Sequence, residues 1–577
     1  MIVIVRALGL KEDKLVGLLA ERLLTMQRHD GGWSLYRDEA DGNLSSTVEA
    51  YFALLYSGHV GAADPRMRRA KQWILHRGGL AKCGPMTKVM LAMNGQYPWC
   101  KPLLLPLDMI RHPSRYPIRF YRFSVYARVH LVPVLTAAHF RYALVQPDTP
   151  DISDLVLPAR GFEAAPGGGT AALDPKSMPD ALRDAERFML ERIEPDGTLG
   201  SYFSSTFLMI YALLALGYEN EHPVIAKAVD GMKRLVSRSE GGPVFVQNFT
   251  STVWDTALIG HALLESGISA ANPAILKAGQ YLISRQHAEC GDWKVNNPLA
   301  RPGGWGFSDI NLKIADVDDT SAALRVISAL LGAAPPDYAV SYKRGLNWLL
   351  SMQNDNGGWA AFEKGASSRL LSRLPFENAQ DALVDPPSAD ITGRVLEFLG
   401  NKAGLQRGVP LVDRAVSWLL RAQEKDGSWY GRWGICYMYG TWAAVTGLRA
   451  VGLPADHPAM RKAVRWIRSI QNDDGGFGES CRSDAVRQYV PLGHSTPSQT
   501  AWAADALLSA GLGATPETEK ALQRLIAFSE HSPNDWKLHY PTGAGLPGGF
   551  YIHYHSYRWI WPLVAIANFQ KQKRSSK

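Results

Sequence analysis

Asp316-Val317-Asp318-Asp319 sets three carboxylates within four positions, immediately before an apolar run that begins near Thr320. The run predicts a helix, so the acidic cluster belongs at a helix N-terminus. Carboxyl groups crowded into a dry site cannot all ionise cheaply; one keeps its proton at neutral pH and is available as a general acid. The same position suits a plain helix cap, and the helix dipole there favours the charged carboxylate, which opposes an acid role. A calcium loop lacks its DxDxDG pattern and downstream Glu. Further along, Asp390 and Arg394 are four apart on an expected helix and share a face. If that face meets the acidic segment, Arg394 is the cation that stabilises the carboxylate left after proton transfer; otherwise the two are an ordinary surface pair.

The aromatic content suggests what such an acid would protonate. The chain carries 17 Trp, 22 Tyr and 18 Phe. Ring faces attract cations without the nucleophilicity of a lone pair, so a cavity lined by rings can guide a carbocation. Each ring taken alone reads equally well as a core residue.

The elements that must hold these groups repeat. DPRMRRAKQWIL from Asp64, HPVIAKAVDGMKRL from His222, NPAILKAGQYLI from Asn272, PLVDRAVSWLLRAQ from Pro410 and HPAMRKAVRWIRSIQ from His457 each place Pro in or near a first helical turn, then apolar residues at helical spacing. Between them lie Ala- and Leu-rich runs of low charge: Ser46 to Leu55, Thr252 to Leu264, Thr320 to Leu331, Thr441 to Val451 and Thr500 to Leu508. Ser46-Thr47-Val48-Glu49 has the form of a capping box. Amphipathic outer helices alternating with apolar inner ones, without strand runs, predict an all-α chain of helical-hairpin barrels or a solenoid. A second repeat follows outer helices with Gln, a polar turn, Gly and an aromatic: Gln27 to Trp33, Gln353 to Trp359, Gln423 to Trp429 and Gln471 to Phe477. Gln bonds free backbone groups at helix ends, Gly permits the turn and the ring packs over a neighbouring hairpin, so these are structural staples. Pro147 to Met178, with Gly167-Gly168-Gly169, reads as a long loop.

A length of 577 residues predicts two large domains. The formal charge of +8 is spread singly, without an RNA-binding or zinc-finger motif, so no nucleic-acid partner is expected. Such a charge suits an anionic membrane surface, where each nearby basic residue contributes about 1 kcal/mol, and suits a solvated basic surface equally. Cys83, Cys100, Cys290, Cys436 and Cys481 form no CxxC pair, arguing against a disulfide framework or zinc site. Reduced thiols in a cytoplasm are expected. No segment reaches the roughly 18 apolar residues of a spanning helix, so any membrane attachment would be monotopic.

The acidic segment, preceded by Gly303-Gly304-Trp305-Gly306-Phe307 and surrounded by several staples, resembles the squalene-hopene cyclase and oxidosqualene cyclase family over nearly the whole chain. The resemblance implies two α/α-barrel domains, a catalytic one of residues 1–26 and 250–577 and an inserted one of residues 27–249, with attachment to the cytoplasmic face of the cell membrane beside the substrate entrance. It implies that Asp318 donates the proton, that Asp316 and Asp319 share its hydrogen-bond network with Asp390, and that a polyprenoid lipid is the substrate. No cofactor and no metal would be needed, since no diphosphate leaves. A homodimer remains open. The cation-stabilising positions carry over by local motif to Trp254, Phe307, Phe362, Trp433, Phe550, Tyr554 and Tyr557. Four positions depart from the squalene-hopene pattern: Arg394 replaces His, Phe362 replaces Tyr, Leu546 replaces Phe, and Tyr126 replaces Trp. These departures resemble the tetraprenyl-β-curcumene cyclase branch, whose relatives form sporulenol, and the loss of the Phe at Leu546 implies weaker stabilisation of a late cation.

The expected function is protonation-initiated polycyclisation of tetraprenyl-β-curcumene or squalene. A squalene-hopene cyclase proper is the near alternative. Two rivals of other classes are a helical-repeat lipid-binding scaffold without activity, if Arg394 keeps Asp318 ionised, and an (α/α)-barrel carbohydrate enzyme using paired carboxylates. The second would want a polar open cleft, whereas the inner helices are apolar.

Overall fold

The computed structural model describes every residue except 100–106, 112–118, 157–178, 239–241, 333–334, 369, 374–378, 531, 533–534 and 576–577. Cys100 and most of the stretch from Pro147 to Met178 lie outside the described residues.

The chain forms two compact units, Met1–Thr250 with Arg373–Ala379, and Ser251–Ser372 with Gln380–Lys577. Residues 1–26 group with the first unit, whereas the sequence reading assigned them to the second. The apolar face of the helix Ile2–Ala7 explains this: Ile2, Val3, Ile4 and Val5 are buried, and the helix packs on Leu44–Ser57. That second helix begins two residues before Ser46, because Asn43 caps it by accepting from the Ser46 N–H, so the capping box does not form. Glu49 instead accepts from the Thr87 hydroxyl. In the same unit Phe203–Ala215 is buried along most of its length, making Phe207 to Leu216 a core helix.

Within the second unit the outer helices start where their sequence signals lie. Pro273–Ser284 is capped by the Asn272 side chain, and Pro458–Ser469 by that of His457. The inner helices Val317–Leu330, Ala389–Asn401, Tyr437–Ala450 and Pro497–Ser509 bury nearly every side chain. Two of them touch backbone to backbone. A Cβ on Gly393 would stand 2.3 Å from the Ala443 carbonyl oxygen, and one on Gly447 would stand 2.2 Å from that of Gly393. Only glycine permits this approach, and it sets the height of Arg394, the next residue.

The staples form as a common unit. Gln27, Gln353, Gln423 and Gln471 each donate from Nε2 to a turn glycine carbonyl and to the first turn of the next outer helix. The aromatic residue closing each staple donates its backbone N–H to a threonine hydroxyl of an inner helix. A fifth staple was not visible as a repeat: Gln286 donates to Gly303 O and Ser341 O, and Trp305 N–H donates to Thr320. Its Gln and Gly are separated by an insertion, which hides the spacing.

Four short strands depart from the strand-free expectation. Val236–Arg238 pairs antiparallel with Val244–Val246, and Gly543–Leu546 with Phe550–Ile552. The second hairpin is irregular between Ala544 and Leu546, as its glycine-rich sequence allows.

Candidate active site

The fifth staple places the acidic segment. Asp316 donates its backbone N–H to Trp305 O and caps Val317–Leu330 by accepting the Asp319 N–H at 2.7 Å. Thr320, one residue past the cluster, receives the Trp305 N–H. The cap role anticipated for one aspartate therefore falls to Asp316, leaving Asp318 and Asp319 in the first turn.

The three carboxyls have different surroundings. Asp316 and Asp319 are buried, while Asp318 is partly exposed. Burial pushes Asp316 up to about 7 against the Asp319 hydrogen bond, with the charge of Asp318 adding to the rise. Asp319 is pushed well above the usual carboxylate range by burial first and by the neighbouring Asp316 second. Neither Asp319 oxygen reaches hydrogen-bond geometry with a described residue. A buried carboxyl so placed is tolerable only when neutral.

Arg394 supplies the cation. Its Nε donates to Asp318 Oδ1 at 2.6 Å, with side chains 4% and 14% exposed. Burial alone would lower the Arg394 pKa, but the Asp318 charge outweighs it and holds the guanidinium above its ordinary value. Three indoles surround it: its Cζ lies 5.1 Å from the Trp254 ring centre, 5.6 Å from Trp442 and 5.6 Å from Trp561. Desolvated cation–π contacts reach about 2 kcal/mol each, so the cage offsets part of the cost of burying the charge. Trp442 is itself anchored, donating its indole N–H to Asp505, which also accepts from Asn568, both at 2.8 Å.

Arg325 joins the two helices that carry the pair. Its guanidinium donates to Arg394 O at 2.7 Å, Ser321 Oγ at 3.0 Å and Glu397 at 2.8 Å. Asp390 does not pair with Arg394. Its Oδ1 accepts from Ser388 Oγ and the Ile391 N–H, and its Oδ2 from the Trp433 N–H at 2.7 Å. It thereby holds the Trp433 backbone, and burial raises its own pKa.

Around this core the rings form two groups. In the first, Trp254 stacks on Phe307 with centroids 6.2 Å apart, Phe307 meets Tyr554 edge-on at 6.2 Å, and Tyr554 stacks on Tyr557 at 4.4 Å. The Trp254 indole N–H donates to the Tyr557 hydroxyl at 2.9 Å. In the second, Phe362 and Trp433 meet edge-on at 5.6 Å. Leu546 and Phe550 face each other across the hairpin, which is tied to the Trp433 segment by the Ala544 N–H donating to Trp433 O. Tyr126 is half-buried on Val125–His139 of the first unit.

Sequence reasoning missed Tyr439, Trp442, Trp502, Trp561, Arg325 and Asp505. Tyr439 is buried between Trp442 and Trp502, with centroids 5.4 and 4.8 Å away. The available signal was a polar or aromatic residue on an otherwise small-residue inner helix, as with Asp505 in AWAADALLS. The arrangement as a whole is a carboxyl cluster, two of its members pushed upward by burial, backed by one caged cation and fronted by rings, suited to delivering a proton and sheltering positive charge.

Comparison with known proteins bears on this geometry. Residues 1–166 and 171–241 match the family model described as the squalene-hopene cyclase N-terminal domain, and residues 250–571 match the C-terminal domain model. The chain is 44% identical over 579 residues to sporulenol synthase of Bacillus subtilis (strain 168), covering 97% of this chain and 90% of that protein. It is 35% identical to the squalene–hopene cyclase of Zymomonas mobilis, covering 96% and 88%, and 34% identical to that of Alicyclobacillus acidocaldarius, covering 95% and 89%. Among solved structures, ent-copalyl diphosphate synthase from Streptomyces platensis shares the fold with a TM-score of 0.52 at 17% identity, covering 96% of this chain and 91% of that one.

Proposed function

This chain belongs to the squalene-hopene cyclase family, and on that premise we propose that it cyclises tetraprenyl-β-curcumene, or a polyprene of similar length, by protonating a terminal alkene from Asp318. It is a terpene cyclase with an all-α fold. The observation that carries the assignment is the acidic cap of Val317–Leu330, joined to the guanidinium of Arg394 inside its ring of tryptophans.

Three carboxyls face one guanidinium, so full ionisation would leave an uncompensated buried charge; the cluster therefore retains protons at neutral pH. Asp319 and Asp316 are the members pushed upward, and Asp318 is the one whose side chain is accessible. On this reading the alkene π pair takes the Asp318 proton, a tertiary cation forms at the far alkene carbon, and the resulting carboxylate is held by Arg394. Trp254, Phe307, Tyr554, Tyr557, Phe362, Trp433 and Phe550 then face successive cations. Water addition or proton loss ends the cascade. Asp390 acts one step removed, by fixing the Trp433 backbone.

Tetraprenyl-β-curcumene is favoured over squalene by Arg394, Phe362 and Leu546, and by the greater similarity to sporulenol synthase than to the two squalene–hopene cyclases. Among the described residues no helix is long and apolar enough to cross a membrane. A hydrocarbon substrate must still be taken from a bilayer, and the +8 charge favours an anionic cytoplasmic leaflet, so we assign a monotopic contact there. The test is to incubate the detergent-solubilised chain separately with tetraprenyl-β-curcumene and squalene and to identify products by mass spectrometry and NMR. Polycyclic product from the curcumene, with slow or truncated squalene cyclisation, is expected. Efficient hopene formation would make it a squalene-hopene cyclase, and recovery of both lipids unchanged would overturn the enzymatic reading.

A further inference from the structure

We propose that His539, His553 and His555 form a transition-metal site of the zinc class that clamps the segment carrying Tyr554. One ring nitrogen from each residue lies within 4.8 Å of the other two. The His539 and His553 ring centres are 5.3 Å apart, and those of His553 and His555 are 4.3 Å apart. Zinc binds imidazole at about 2.0–2.1 Å, which for tetrahedral ligation sets nitrogens about 3.4 Å apart. The rings must close by roughly an ångström or more relative to that limit, a shift within side-chain rotation for three residues that are half-buried or exposed. Three imidazoles with exposed His555 leaving one side to solvent select zinc, cobalt or copper over magnesium or calcium.

His553 and His555 follow the strand Phe550–Ile552, and Tyr554 between them stacks on Tyr557 and meets Phe307. Metal held by the two residues that flank Tyr554 in the chain would fix the backbone that carries its ring. His539, which closes the short helix Trp536–His539, joins a separate segment to this one. Arg558 opposes the metal: its Nη1 lies 3.4 Å from His539 Nε2, and a bound dication would displace it. Beyond His555, Ser556 donates to Asp255, which brings a carboxylate near the site.

The experiment is zinc titration of the full chain by calorimetry, with the visible spectrum of the cobalt-loaded protein as the readout of geometry. One equivalent per chain and an intense tetrahedral cobalt spectrum are expected. His539→Ala with His555→Ala should abolish both, and Arg558→Gln should tighten binding. Zinc protection of His539 and His555 from acylation by diethylpyrocarbonate, mapped by mass spectrometry, tests the unmutated protein. An equivalent that persists in the double variant, an octahedral cobalt spectrum, or equal acylation with and without zinc would overturn the proposal.

Discussion

Replacing Arg394 with Gln removes the guanidinium and keeps a polar side chain, and the geometry bounds the effect. The Arg394–Asp318 contact is 2.6 Å long, between side chains 4% and 14% exposed. A hydrogen bond to a charged group contributes about 1.5–3 kcal/mol. This one reaches full strength only when Asp318 is a carboxylate, that is, as the proton leaves. If all of it is expressed at the transition state, kcat falls about 10- to 150-fold, at about 1.4 kcal/mol per tenfold. KM should change less than kcat, because, of the rings proposed to face the polyprene, Trp254 packs on the guanidinium while Phe362, Trp433 and Phe550 stand in the other group.

Stability supplies an internal control. Removing one partner of a buried pair costs about 3–5 kcal/mol when the other stays charged. R394Q removes the caged charge itself and leaves the partly exposed Asp318 behind, so it should lose less stability than this bound. R394K keeps the charge without the planar fork and should recover part of the rate. Initial rates of product formation in detergent micelles, with thermal midpoints on the same preparations, provide the assay. A full kcat in folded R394Q would show that the cation does not serve the acid, and a raised KM with unchanged kcat would make Arg394 a binding residue.

Other substitutions probe different parts of the site. D318N should abolish turnover and lower the thermal midpoint of a chain that still folds, because Arg394 keeps its charge inside the cage without its partner; retained activity would end the assignment of Asp318 as the acid. L546F restores a ring beside Phe550 on the hairpin and should shift products toward more fully cyclised ones; an unchanged product profile on both substrates would remove the late-cation argument. Q286A deletes two hydrogen bonds of the fifth staple and should cost about 1–3 kcal/mol in denaturant unfolding, with no loss if the staple does not support the acidic cap. Asp316, Glu479 and Asp484 are pushed by burial up to about 7, about 7 and about 6. The folded chain therefore keeps protons that unfolded carboxyls release near about pH 4, and stability falls as pH rises from about 4 to about 7. Glu265 and Glu397, held at about 2, are fully ionised in both states across the upper part of that window and add no slope there. D316N, in which Asn still caps the helix, should flatten part of the decline, and an unaltered slope would contradict the raised value.

Local physics made parts of this molecule legible in the sequence. The acidic segment sits at a helix start because an apolar run follows it, and the staples announce themselves through Gln, Gly and an aromatic at fixed spacing. The fifth staple escaped because an insertion between Gln286 and Gly303 breaks the spacing while preserving the bonds. The cage around Arg394 escaped for a different reason. Trp254, Trp442 and Trp561 stand on helices far apart in the chain, and nothing local to any of them marks a shared neighbour. The closeness of two inner helices, which Gly393 and Gly447 permit, was equally a long-range property, although the glycines themselves were in view.

Arginine at this position constrains how the acid is reset. A histidine partner can hand back a proton; a guanidinium cannot, because it stays charged throughout. After each turnover Asp318 must therefore be recharged from solvent or from the adjoining carboxyls. Asp316 and Asp319 are both pushed upward by burial and stand beside it. On the proposed mechanism the caged guanidinium holds the carboxylate left on Asp318, and the two buried carboxyls beside it are the nearest reserve of protons.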